Sequence, residues 1–228
     1  MDDETIKDLK AGWLGQVPLP LAKAFIEAGK FQTFPDGATV YGFGQEQCCL
    51  FGIASGHIRM WVTMNEQAPR FGHVAGPGFW FGEHEVVTGL PRIMEMEASG
   101  DTLLCMVARS DIDRIAKKHA EAWASVALLA VMNQGTAIGA ADDLMIRNAK
   151  KRLVAVLLRL SSHRNAYQGV SPISAVPVRQ TELADAATLS RSSALAILAE
   201  LSRDGLIRTD YRTIVILKPK QLGALLAD

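Results

Sequence analysis

The residues best suited to chemistry lie towards the C-terminus: Arg179, Thr181, Ser190, Arg191, Ser192, Ser193, Ala196 and Arg212. An arginine carries a planar fork of N–H donors that fits guanine O6 and N7, or a phosphate. Serine and threonine hydroxyls bond phosphate oxygens, and a small apolar side chain can touch a thymine methyl. The spacing decides whether these groups can act together. Thr181 can cap a short helix over 182–187, and Thr188-Leu189 make a tight turn. Ser190 can cap a second helix running to about Arg203, with Ala194, Ile197, Leu198 and Leu201 as its inward face. Asp204-Gly205 ends that helix. Leu206-Ile207-Arg208 and Thr213 to Leu217 read as a hairpin around Asp210-Tyr211-Arg212. Two short helices, a tight turn and a two-stranded wing form a winged helix-turn-helix, whose second helix enters the DNA major groove N-terminus first. In that setting Arg191 faces a guanine, while Arg179, Ser190, Ser193 and Arg212 face phosphates. Thr181, Ser192 and Ala196 complete the expected DNA-facing set.

Other reactive residues form no comparable pattern. The five histidines (His57, His73, His84, His119, His163) contain no His-x-His pair. A cupin-like oxygenase would need two inward histidines and a carboxylate close together, so the metalloenzyme alternative has little to build on, and the chain is expected not to be an enzyme. The three cysteines, Cys48, Cys49 and Cys105, have neither disulfide-framework nor zinc-site spacing and are expected to be buried, reduced thiols.

Charge and texture place these residues in a larger plan. Net charge over the 228 residues is zero, but from Arg147 onward there are 13 Lys/Arg against 6 Asp/Glu, leaving the earlier part with 11 against 18. A basic C-terminal part on an acidic front suits contact with a polyanion. Residues 4–30 read as two short helices. From Phe31 to Val107, short β-rich runs alternate with turn signals at Pro35-Asp36-Gly37, Gly44, Ser55-Gly56, Gly76-Pro77-Gly78 and Gly89-Leu90-Pro91, which predicts an antiparallel sandwich or barrel. Ser110-Asp111 can cap a further helix. Residues 120–147 lack proline and carry Ala124, Leu128, Val131, Gly135, Ile138, Asp142 and Met145 at heptad spacing. That seam predicts pairing with a second copy of the chain, with Gly135 and Gly139 allowing close backbone approach. Another amphipathic helix is expected over 149–163. The longest unbroken apolar run, Val126 to Met132, is short for a membrane span, and the N-terminus is acidic, so the protein is expected to be soluble and cytoplasmic.

In this order the motifs resemble the family of the cAMP receptor protein and the fumarate–nitrate regulator, the bacterial Crp/Fnr transcription regulators. The resemblance covers nearly the whole chain. It rests on Phe34-Pro35-Asp36-Gly37, Val40-x3-Gly44, Gly56-His57-Ile58-Arg59, Pro77 to Glu83, the cassette from Gly82-Glu83 to Pro91-Arg92, and Leu189 to Leu198 with the wing that follows. It implies an α+β fold: an N-terminal antiparallel β-roll, jelly-roll-like and of the cyclic-nucleotide-binding kind, over 1–118, a dimerisation helix over 119–147, and a winged helix-turn-helix over 148–228. It implies a homodimer that binds double-stranded DNA and meets RNA polymerase. In cAMP-binding members the cassette glutamate holds the ribose, and an arginine followed by Ser or Thr holds the phosphate. Glu83 and Arg92 stand in those places, but Ile93, which has no hydroxyl, follows, and then Met94-Glu95. The adenine-contacting Thr-Ser pair aligns with Ala137-Ile138, with Thr136 one place early. The implied effector set is therefore Gly82, Glu83, Arg92, Ile93 and Thr136, and the effector stays open between cAMP, another small molecule and none. An iron–sulfur sensor of this family needs N-terminal cysteines, and the first 47 residues contain none. A haem would need an axial ligand from His73, His84, Cys48 or Cys105. Ser192 and Ala196 replace the acidic residue and arginine common at the family's reading positions, and Thr188 and Tyr211 stand where glycine is frequent.

Overall fold

The computed structural model describes residues 3–46, 48–63, 68–164, 167 and 169–227. Helix α1 (Asp3–Leu9), a 3-10 turn (Trp13–Gln16) and α2 (Leu19–Ala28) precede the strands β1 (Lys30–Phe34), β2 (Thr39–Tyr41), β3 (Cys49–Val62), β4 (Arg70–Ala75), β5 (Trp80–Phe81) and β6 (Met94–Ala108). Helix α3 (Glu83–Thr88) lies between β5 and β6. All pairings are antiparallel, in the order β1-β6-β3-β4, with β2 on β6 and β5 on β3.

Strands β3 and β6 form the spine, paired from Cys49–Ala108 to Val62–Met94. The Ser55-Gly56 signal, expected to be a turn, lies inside β3. Gly56 has φ 77°, and the register shifts there. A Cβ at Gly56 would lie 2.5 Å from the Asp101 carbonyl oxygen. Glycine here makes a bulge that bends one long strand, which is how a single strand serves both halves of a roll.

Helices α4 (Arg109–Ala116) and α5 (Ala122–Met145) follow. Helix α4 starts at Arg109, with Ala108 at the N-cap position and no side-chain cap, so Ser110 lies inside its first turn. The N-terminal helices fasten α5 to the roll: buried Trp13 donates Nε1–H to the Ser125 carbonyl at 2.8 Å, and its ring meets Trp80 edge-on at 5.4 Å. Trp80 in turn donates to the Leu9 carbonyl. One face of α5, through Val126, Leu129 and Met132, is buried in this core. The heptad seam lies on the other side, where Leu128, Val131, Ile138 and Met145 are exposed. The two glycines have uses within the chain: the Tyr167 ring covers Gly135, where a Cβ would lie 2.7 Å from it, and Gly139 is buried. The 24-residue α5 contains an 18-residue stretch of mean hydropathy 1.3, and by length and composition alone it is long and apolar enough to cross a membrane. Asn133 and Gln134 interrupt its apolar residues, so the longest unbroken run, Val126 to Met132, is much shorter than the helix.

The C-terminal unit comprises α6 (Ala149–Leu160), β7 (Ala175–Val176), α7 (Gln180–Ala186), α8 (Arg191–Arg203), β8 (Ile207–Asp210), β9 (Thr213–Ile216) and α9 (Pro219–Ala224), with β7-β9-β8 as a small sheet. Its core joins Leu153, Leu157 and Leu160 of α6 to Leu183, Leu198, Leu201 and Ile214, and it continues into Phe71 and Val74 of β4. The helix-turn-helix is thus packed directly against the roll.

Candidate DNA-reading face and effector cavity

The reading face is built from two helix starts and the wing. Ser190 accepts the Ser193 N–H at 3.1 Å, so the second helix is capped as its sequence predicts and Arg191 becomes its first residue. Arg191, Ser192, Ser193 and Ala196 are exposed, while Ala194, Leu198 and Leu201 point inward. The first helix starts earlier than expected. Arg179, not Thr181, is its cap residue, and buried Glu182 accepts the Arg179 N–H at 2.7 Å. Threonine at 181 therefore sits in the first turn with its side chain outward.

Thr188 holds φ 50° in the turn, where its N–H reaches the Asp185 carbonyl and Leu189 N–H reaches Ala184. At the wing tip the left-handed residue is Arg212 (φ 55°), not Tyr211, which is 88% exposed. Arg179, Thr181, Arg191 and Arg212 line one open concavity between the helix starts and the wing. Three cationic forks and a positive helix terminus facing one hollow suit a phosphate backbone.

In this arrangement the face is partly engaged by the roll. Arg212 Nη1 pairs with Asp36 at 3.1 Å, and the Gly100 N–H bond holds the Asp36 carboxyl below its ordinary value. Arg59 of β3, almost fully buried, lies 3.4 Å from Glu182 and 3.5 Å from Glu97. Behind it, Arg159 of α6 donates Nε–H to Asp143 of α5 at 2.7 Å and meets His73 Nδ1 of β4 at 3.2 Å. Roll, long helix and DNA-reading unit are thus joined by buried polar groups as well as by the apolar core.

A cavity of about 420 Å³ opens between the faces of β3, β4 and β6, the side of α5, and the α7–α8 turn. Of the five residues implied as effector contacts, Glu83 and Thr136 line it. Burial pushes the Glu83 carboxyl up, opposed by hydrogen bonds from its own backbone and from Asn133. Gly82 supplies the left-handed turn (φ 94°) before α3 and lies against the Cys49 carbonyl. Ile93 is exposed away from the cavity. Arg92 is absent from the lining. Its buried guanidinium is paired with buried Glu85, donates to the Cys49 carbonyl at 3.1 Å, and lies 4.0 Å over the Tyr41 ring. The sequence signal for that inward turn was Glu85, two residues after the cassette glutamate, facing the same side as Tyr41.

The candidate haem ligands are dispersed. His73 is half-buried against Arg159, and loss of hydration first, then that arginine, push its pKa down to about 3. Cys105 is buried with its thiol pushed up to about 12. Cys48 is exposed and Cys49 half-buried, so only one thiol matches the buried set expected.

Comparison with known proteins agrees with this layout. Residues 31–119 match the cyclic nucleotide-binding domain, and residues 151–225 match the Crp-like helix-turn-helix domain. The chain belongs to the Crp/Fnr family of transcription regulators. This Crp/Fnr regulator is 26% identical over 183 residues to the cyclic AMP receptor protein of Thermus thermophilus, a match spanning 80% of this chain and 82% of that one. Among solved structures it resembles FixK2 of Bradyrhizobium japonicum (TM-score 0.65, 18% identity, 88% and 98% of the two chains). It also resembles the c-di-GMP responsive global regulator CLP of Xanthomonas campestris (TM-score 0.66, 17% identity, 87% and 99%).

Proposed function

We propose that this Crp/Fnr regulator acts in the cytoplasm as a homodimer whose two α8 helices read successive major grooves of double-stranded DNA, about 34 Å apart. The observation that carries the reading is the exposed concavity formed by Arg179, Thr181, Arg191 and Arg212 at the helix starts and wing. Arg191 reads a guanine edge. Arg179, Thr181, Ser190, Ser193 and Arg212 hold phosphates, and Ser192 and Ala196 face the bases beyond. The exposed seam of Leu128, Val131, Ile138 and Met145 supports pairing along α5, because a soluble monomer has little reason to present so apolar a stripe. An effector enters the cavity beside Glu83 and Thr136. Because Ala186 and Thr188 form its far wall, occupancy shifts the reading unit relative to the roll. The bound dimer recruits or blocks RNA polymerase, and the protein does no catalysis of its own.

The test is equilibrium binding to duplexes selected from random sequence, followed by fluorescence anisotropy at two salt concentrations, with and without cAMP. Specific binding that weakens steeply with salt, and a dimer by sedimentation, are expected. A monomer with no preference among duplexes would overturn the reading.

A further inference from the structure

We propose that the cavity between the roll, α5 and the α7–α8 turn takes a largely apolar, uncharged ligand with a single hydrogen-bonding head group, and not a cyclic nucleotide. The inference rests on the effector-controlled reading above and narrows its effector.

The cavity's chemistry is hostile to a phosphate. The arginine whose position suits a phosphate, Arg92, points away from it and is held by Glu85, by the Cys49 carbonyl and by the Tyr41 ring. Turning Arg92 out would leave the Glu85 carboxylate buried without its counter-charge, a strongly unfavourable state. Arg159, the cation at the cavity's inner end, is tied to Asp143 and His73. His73 stays neutral at physiological pH. The lining also carries the carboxyls of Glu83 and Asp185, which repel an anion when ionised. Arg70 stands at the solvent rim and is exposed.

The walls suit an apolar body. Met60, Phe71, Phe79, Phe81, Met96 and Leu144 supply most of the surface, and about 420 Å³ is room for a drug-sized molecule. Methionines at this density give a lining that re-shapes around its guest. Three polar groups gather beside α5, while Asp185 and Thr188 add polar atoms on the side of the α7–α8 turn. Asn133, hydrogen-bonded to the Glu83 carboxyl, and Thr136 lie one turn apart on the cavity side of α5. Asn133 donates to the Trp80 carbonyl, which fixes its amide, and the Thr136 hydroxyl bonds back to Met132, which leaves its oxygen lone pairs as acceptors. A neutral head group with a hydrogen-bond donor meets acceptors here in the Thr136 oxygen and the Glu83 carboxyl. Asp185, Ala186 and Thr188 also line the cavity, so a ligand there touches the turn that precedes α8.

The test uses full-length protein and the neutral probe N-phenyl-1-naphthylamine, read by its fluorescence gain. Saturable binding at one site per protomer is expected, unaffected by cAMP at millimolar concentration. Two variants check the location: Ala140→Trp fills the cavity, and Leu144→Arg places a charge at its edge. Each is expected to weaken probe binding at least tenfold while thermal unfolding stays cooperative. Displacement of the probe by micromolar cAMP would overturn the proposal, and so would absent binding or affinity unchanged in both variants. Duplex binding is measured on the same preparations. Probe binding without DNA binding would refute the regulator reading alone, and DNA binding without probe binding would refute this inference alone.

Discussion

Replacing Asp143 by asparagine is the most informative single perturbation of the fold, because it removes one charge from the joint between α5 and α6 while keeping its volume. Asp143 is fully buried, and the Arg159 side chain that donates to it at 2.7 Å is 2% exposed. Burial raises the Asp143 carboxyl while Arg159 and Arg164 pull it back down, so the pair depends on both partners. Breaking such a pair from one side leaves an uncompensated buried cation and costs about 3–5 kcal/mol, against total stabilities of about 5–15 kcal/mol. Removing both charges together, as Asp143→Leu with Arg159→Met, is close to neutral by the same reasoning. His73 then loses its Arg159 partner, which costs about 1 kcal/mol. Urea unfolding of full-length protein at one fixed protomer concentration, followed by tryptophan fluorescence, measures Asp143→Asn and the four corners of the cycle formed by the wild type, Asp143→Leu, Arg159→Met and their combination. The single variant should lose at least 3 kcal/mol and the double variant roughly 1 kcal/mol. A single variant that loses under 1 kcal/mol, or a double variant equal to the sum of the singles, would refute the claim that this pair holds the joint.

Three other perturbations have defined signs. His73 has its pKa pushed from 6.5 to about 3 by burial, so above pH 6.5 it contributes no pH dependence. Below 6.5 the unfolded chain takes a proton that the folded one refuses, and stability falls by about 1.4 kcal/mol per pH unit. His73→Gln should remove that slope between pH 6.5 and 4, and an unchanged urea midpoint profile would contradict the assignment. Thr188 sits at φ 50°, so Thr188→Gly should relieve about 1 kcal/mol of strain, partly offset by glycine's greater freedom when unfolded. A higher melting temperature is expected, and a lower one would mean that the Thr188 side chain matters more than its backbone. Asp36→Ala frees Arg212 for DNA. An exposed pair is worth about 0–1 kcal/mol, so duplex affinity at low salt should rise by no more than about fivefold. The gain should vanish when Arg212 is also changed to alanine, and a gain that persists would place its origin elsewhere.

What the sequence revealed follows from which forces act locally. The second reading helix was legible because its cap, Ser190, and its inward residues, Ala194, Leu198 and Leu201, are set by bonds and periodicity within a few residues. The seam of α5 was legible for the same reason, since heptad spacing alone divides exposed from buried faces. The misread features depend on partners distant in the chain. Gly56 looks like a turn until β6 is placed beside it, and only then does the clash with Asp101 identify a bulge. Arg92 stands where a phosphate ligand is expected, but Glu85, Tyr41 and the Cys49 carbonyl together hold it inside. At the wing, the left-handed conformation falls on Arg212 rather than Tyr211, a choice the side chains do not announce. The cap at Arg179 is not legible from that residue's type, because the bond is made by Glu182 reaching backward, not by the side chain of the capping residue.

The outward stripe on α5 gives the proposed pairing a consequence at the level of the cell. A lone protomer carries one reading helix, and its two-groove grip exists only in the pair. Where copy number falls below the pairing constant, the number of pairs varies as the square of the protomer number, so a twofold change in expression becomes about a fourfold change in occupied operators. On the proposed pairing, the exposed Leu128, Val131 and Ile138 would make the protein's own abundance an input to DNA binding, alongside the proposed cavity ligand.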